Sequence, residues 1–258
     1  MRYRLTGFMI KGSVVAALVM LGHVSAAQAP VAPQQSGPGS LAGVWTLTGY
    51  KGSKSGSERD RVQMTVQGKW PPLQPWAQEL LEKRIAMSVE GAPFANTLTQ
   101  CLPGGVPLMT FGAPYPVQIL ETPGQVTMLF EEQNHFRIIH MNGIHPEDPD
   151  PTYMGHSIGR WEGGTLVVDT IGLTDRTTID QIGMPHSEEL RVVERYRRVN
   201  PNTFEVMVTI NDPKTFSQPW DTKALYKLSP PGTKLTEYIC ENNRNAPDAQ
   251  GQTGFQHP

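Results

Sequence analysis

Apolar and polar residues alternate with a period of two along much of this chain, as they do in strands with one buried face. FEVMVTIND (204–212) and WDTKALYKL (220–228) show the alternation most plainly. TLVVDTIGL (165–173) is a nearly continuous apolar run and reads as a more deeply buried strand. Further strands are expected at 43–49, 61–67, 126–132, 135–141, 154–162, 189–199 and 235–240. Gln133-Asn134, Gly163-Gly164, Asn200-Pro201-Asn202 and Ser229-Pro230-Pro231-Gly232 punctuate the series as turns. One stretch, 75–88, has helical spacing. Pro75 suits its first position, and Trp76, Leu80, Leu81 and Met87 form its apolar stripe. Residues 91–124 are dense in Pro and Gly and predict a long loop lying across the domain, a length that suits a lid or binding loop.

About ten strands in series, joined by short connections without intervening helices, favour antiparallel neighbours. The predicted fold class is therefore mainly β: an antiparallel up-and-down barrel with one helix and a long Pro/Gly-rich loop. A two-sheet sandwich is the alternative architecture.

Composition adds a compartment. Arg2, Arg4 and Lys11, an apolar run at 13–21 and small residues at 25–27 have the layout of a secretory signal peptide, too short to span a bilayer. Cleavage is expected after Ala26. That divides the chain into a signal peptide (1–26), a flexible Pro/Gln/Gly/Ser leader (27–40), one barrel domain (41–245) and a flexible tail (246–258). Three of the 22 basic residues lie in the signal segment, leaving 19 against 24 acids, a net charge of −5. Such a surface does not attract phosphate backbones, so no nucleic-acid partner is expected, nor stable membrane insertion after cleavage. The two cysteines, Cys101 and Cys240, more often pair than stay free in an exported chain. The expected location is periplasmic or secreted.

Candidate chemistry concentrates in PHSEELRVVERYRR. Read as one strand, it puts His186, Glu188, Leu190, Val192, Glu194, Tyr196 and Arg198 on a single face. Aliphatic residues mixed with a few ionisable ones are the usual lining of a small-molecule site. Within it, His186 and Glu194 are the candidate acid and base, and Glu188, Tyr196 and Arg198 are candidate ligand contacts. The same face also admits a purely structural Glu194–Arg198 ion pair. Arg137, His156 and Trp161 join the binding candidates, able to orient an anionic or aromatic ligand; Arg160 could act with them. Gly155-His156-Ser157-Ile158-Gly159 matches G-x-S-x-G, but a hydrolase nucleophile needs a helix after the serine, and here a turn and a strand follow. His135, His140, His145, His156 and His186, with Asp148, offer metal-ligand chemistry without a tight paired-ligand motif, so no metal is assigned. No phosphate cradle is present either, and no cofactor is expected.

Two resemblances follow from these motifs. Gly43-Val44-Trp45 resembles the short G-x-W signature of lipocalins, which implies a barrel with an apolar cup. Across 101–243, CLPGGVP, ETPGQV, GRWEGGTLVVDT, PHSEEL, ERYRR and EYICENN resemble an uncharacterised family of exported bacterial proteins. That resemblance implies export and no particular activity. Where the family's WEGDTLVVDT carries an acid this chain has Gly164, so no role passes to that position.

The functional expectation is a lipocalin-like exported protein binding a small, largely apolar molecule in a barrel cavity. The alternative is a cofactor-independent isomerase, lyase or hydrolase in the same cavity, using His186 and Glu194. A third class, an interaction module, predicts a barrel filled by its own side chains.

Overall fold

The computed structural model describes residues 39–48, 62–92, 94–112 and 114–240. The signal segment, most of the leader, residue 61 and the tail lie outside the described residues. All the described residues belong to one unit that begins at Ser36.

Alternation converts into a barrel wall. The strands are β1 (Gly43–Thr48), β2 (Val117–Thr122), β3 (Gln125–Phe130), β4 (His135–Met141), β5 (His156–Glu162), β6 (Thr165–Ile171), β7 (Arg191–Asn200), β8 (Thr203–Asn211) and β9 (Trp220–Leu228). They pair in chain order, and β1 closes the ring against β9. Trp45, Val117, Ile119, Met128, Ile139, Leu166, Val168, Val192, Phe204, Val206 and Tyr226 fall on the inner face and form the core. Aromatic rings carry part of it: Trp45 meets Phe204 edge-on at 4.7 Å, and Phe204 stacks on Tyr226 at 4.7 Å.

The expected all-antiparallel order needs one correction. Directions cannot alternate all the way round a ring of nine strands, so at least one adjacent pair must run parallel. That pair is β4 and β5, with Ile139 opposite Ser157. A parallel pair needs a long return, and residues 142–155 supply it along the outside of the wall.

The ends of the barrel differ. One end holds the short hairpins β2–β3, β5–β6 and β7–β8. Leu41, fully buried, is drawn towards it by Trp45 Nε1, which donates to the Leu41 carbonyl at 2.7 Å. The other end gathers the long connections, among them α1 (Pro75–Val89), α2 (Leu108–Phe111) and residues 172–190. On α1 the buried stripe is Ala77, Leu81 and Ile85, one residue every turn, rather than the stripe through Trp76, which is 48% exposed.

Four sequence expectations need correcting. Residues 62–67 form no strand, although Val66 N–H donates to the Asp221 carbonyl of β9 at 2.8 Å and Val62 is buried in the core. Residues 235–240 form none either and are tied through Asn134 and Glu131. Both alternate, but β1 and β9 already pair and close the ring, so neither segment adds a strand to it. Conversely, β2 was hidden in the Pro/Gly-rich stretch because Pro116 and Pro123 bracket its six residues. The chain from His186 to Leu190 is turn, and β7 starts only at Arg191.

Cys101 and Cys240 are joined, closing a loop of 139 residues and fastening the segment after β9 to the loop-bearing end. A chain-entropy argument gives such a link roughly 2–5 kcal/mol. Reducing the protein, or replacing both cysteines by alanine, is expected to lower its urea-unfolding free energy by about that amount without changing its far-ultraviolet circular dichroism.

Candidate functional site

Four strands and the plug-like α2 bring polar groups to the middle of an otherwise apolar barrel. Alternation aims Arg137 from β4, Ser157 from β5, Thr170 from β6, and Glu194 with Tyr196 from β7 inward. All four α2 residues are buried among them. Arg137 Nη2 lies 2.5 Å from Glu194 Oε2 and 2.8 Å from Thr170 Oγ1, and Arg137 Nε donates to Ser157 Oγ at 3.1 Å. Glu194 Oε1 accepts from Thr110 Oγ1 at 2.6 Å and from Tyr196 O–H at 2.8 Å. From β9, Tyr226 O–H donates to the Thr110 carbonyl at 2.6 Å. None of these seven residues is more than 4% exposed.

The electrostatics follow from that geometry. Burial alone would raise the Glu194 carboxyl, but Arg137 and the bonds from Arg137, Thr110 and Tyr196 outweigh it and hold the group below the usual carboxylate range. Burial would likewise lower Arg137, and Glu194 more than reverses this. Burial pushes the Tyr196 and Tyr226 phenols up, aided by the adjacent carboxylate, so both stay protonated donors. The node is a charged pair whose acceptors are filled. The expected ion pair of Glu194 exists, then, but its partner is Arg137, three strands away, and not Arg198.

The remaining predicted residues disperse. His186 is buried at the loop end, with Nε2 2.7 Å from Thr177 Oγ1 and Nδ1 3.0 Å from the Ser187 carbonyl. Burial lowers its pKa. It shares no partner with Glu194, so the two do not form an acid–base pair; the turn at 186–190 broke the single face on which that pairing rested. Glu188 is exposed on the same turn. Arg198 sits over the Trp45 ring at 5.0 Å and donates to the Pro201 carbonyl. Trp161 is 38% exposed at the hairpin end, and Arg160 pairs with Glu162 on the surface. Ser157 is an interior hydroxyl beside Arg137, with no helix following it. His156 lies on the outer face of β5, 2.9 Å from His145. Among the described residues no three His, Cys, Asp or Glu side chains converge on a metal position.

Two features escaped sequence reading. Glu132, in the turn between β3 and β4, is 6% exposed, and its Oε2 has no hydrogen-bond partner. Burial pushes its carboxyl up to about 7. Gln133 and Asn134 beside it hold φ of 58° and 53°, a left-handed conformation uncommon for residues with a side chain. Nothing in EEQN distinguishes this glutamate from an ordinary turn acid. At the hairpin end a groove of about 660 Å³, lined by Val44, Thr203, Lys227, Leu228 and Pro230, shares no residue with the predicted site.

A scan against protein-family models and a search of curated proteins both return no match.

Arg137→Met should cost about 3–5 kcal/mol in urea unfolding, because it strands a buried carboxylate. Arg137→Met with Glu194→Leu should recover most of that loss, as paired replacement of buried ions does. Glu132 carries the opposite pH signature to Glu194. Its folded pKa is raised from 4.5 to about 7, so its protonated form stabilises the fold below the unfolded value, and that stability is lost as pH climbs through 7. Glu132→Gln is therefore expected to be more stable than the parent at pH 8, by up to about 3 kcal/mol, and equal to it near pH 4, as read by urea melts at both pH values.

Proposed function

We propose that this chain is an exported carrier for a small, largely apolar molecule bearing one hydroxyl or carbonyl group. The ligand enters the barrel from the loop-bearing end and occupies the place that α2 fills. The observation that carries this reading is the docking of α2 itself. Leu108, Met109 and Phe111 supply apolar bulk, while Thr110 presents one hydroxyl to Glu194 and one carbonyl to Tyr226. A loop segment thus occupies the barrel as a ligand of that chemistry would, against polar handles set in an apolar wall. A barrel of this size holds either packed side chains or one small ligand, and a short helix on a Pro/Gly-rich loop is the part whose movement exchanges one for the other. The G-x-W resemblance to lipocalin cups supports the same assignment.

Export belongs to this reading. The basic, apolar and small-residue order of the first 27 residues supports it, and the Cys101–Cys240 link suits an oxidising compartment. Among the described residues no helix is long and apolar enough to cross a membrane. A second reading, a cofactor-independent acid–base enzyme, draws on Glu132, whose Oε2 has no hydrogen-bond partner and whose carboxyl burial pushes up to about 7.

Binding and plug movement are tested together by the neutral fluorescent probe N-phenyl-1-naphthylamine. Thr110→Val keeps the shape of α2 and removes its bond to Glu194. A charge-assisted bond is worth about 1.5–3 kcal/mol, so the open fraction should rise, and with it the apparent affinity, by about tenfold or more. Uptake by neither protein, with no organic adduct in native mass spectra of chain recovered from a periplasm, would contradict the carrier.

A further inference from the structure

Residues 142–155, which return the chain from β4 to β5, are fastened to the wall at both ends. Asn142 N–H donates to the Gly159 carbonyl at 2.7 Å, and Thr152 N–H donates to the Gly172 carbonyl at 3.0 Å. Among the described residues, the only hydrogen bond between those two anchors is made by the His145 ring, whose Nδ1 faces His156 Nδ1 at 2.9 Å. The rings meet nearly edge to face, as in a head-on N–H···N bond.

The surroundings decide where the protons sit. His145 Nε2, buried without a hydrogen bond, is 3.6 Å from Asp169 Oδ2. Burial would raise the Asp169 carboxyl, but Arg191, bonded through Nε at 2.8 Å and Nη2 at 2.5 Å, holds it below the usual carboxylate range with help from His145. It therefore stays charged in mild acid. Glu147, Asp148 and Asp150 on the return are exposed, so Asp169 is the acid that faces His145. A lone pair turned to that carboxylate would be repelled, so Nε2 carries the His145 proton. His145 Nδ1 is then the acceptor and His156 Nδ1–H the donor. One proton added to the pair settles on His156 Nε2 and leaves the bridge intact. A second must go to His145 Nδ1, which sets N–H against N–H and breaks the bond.

We propose that the His145–His156 bond is an acid-released latch: it holds the return against the wall at neutral pH and, once two protons are added, frees it together with the loop that leads into α2. The link to α2 runs through the backbone. Val106 N–H donates to the Tyr153 carbonyl at 3.2 Å, and Gly105 lies so close to that oxygen that a Cβ in its place would be 2.6 Å away. Only Pro107 separates Val106 from Leu108, where α2 begins. The sign of the pH effect follows from the neighbours. Burial, with repulsion from His145 and from His140 stacked at 5.2 Å, lowers the His156 pKa. The latch thus contributes fully above the ordinary imidazole value of about 6.5 and loses that stability as pH falls below it. Opening of the barrel to a ligand in acid rests on the carrier reading; the latch itself does not.

The test is nuclear magnetic resonance on the full chain without ligand, its histidine rings labelled with nitrogen-15, from about pH 7.5 to about pH 5. The expected result is scalar coupling between the two Nδ1 atoms across the hydrogen bond near neutrality, lost in acid. Exchange of the Val106 and Thr152 amides, corrected for the intrinsic effect of pH, should speed about tenfold over the same range. His156→Asn, which cannot take up a proton, should make that exchange independent of pH. His140→Asn should move the opening to lower pH, and His135→Asn should leave it unchanged. Should His156→Asn fail to fold, the coupling in the parent protein decides. Absence of the coupling near neutrality, its persistence in acid, unchanged exchange at both amides, or the same pH response in His156→Asn would overturn the proposal. Uptake of N-phenyl-1-naphthylamine that stays constant while the coupling is lost and exchange speeds would count against the carrier alone and support the latch.

Discussion

The pair formed by Arg137 and Glu194 is the constraint on which the interior depends. Two full charges with essentially no exposure persist in an apolar barrel only if each is matched and every remaining donor and acceptor is used. Ser157, Thr170, Tyr196 and Thr110 complete that matching. The consequence is positional as well as energetic. β4, β5, β6 and β7 are tied across the barrel, and α2 is registered against them through a single hydroxyl. An apolar replacement of the pair could be as stable, but it would remove one of the bonds that specify where α2 sits, leaving the one from Tyr226 to the Thr110 carbonyl.

Strand number is the second constraint. Nine strands close the ring, and two further alternating segments add no strand to it. The same number forces one adjacent pair to run parallel, here β4 and β5, and the return between them sets His145 against Asp169 on the outer face of β6. The long connections meanwhile collect at one end with α1, α2, His186 and Glu132, while tight turns occupy the other. The interior node and the imidazole pair thus follow from the same closure.

Much of this was legible in period-two alternation. The mainly β class, closure into a barrel, the helix at 75–88 and the inward aim of Val192, Glu194 and Tyr196 all read directly from residue order. What was not legible depended on distance in the fold. Nothing in the local sequence ties Arg137 to Glu194, because their meeting requires three intervening pairings to be in register. Reading His186 as a continuation of β7 rests on its sharing every second position with Leu190, Val192 and Glu194, yet Asp212 accepts the Ser187 N–H and hydroxyl and holds that stretch as a turn. Glu132 has no signature at all: its shifted pKa comes from burial, which only the fold creates. The Pro/Gly-rich stretch was recognised as special but placed over the barrel, whereas four of its residues enter it.

Amide hydrogen exchange at Met109, Thr110 and Gly112 tests most directly whether α2 is a movable plug held by the interior node. These amides donate to Gly105, Pro107 and Leu108 within the same short segment. If the plug moves, they exchange through an opening that leaves β6 and β7 protected, and Thr110→Val speeds them about tenfold without affecting the strands. Exchange of α2 only with global unfolding, at the same rate in both proteins, would contradict a movable plug and leave the barrel permanently filled.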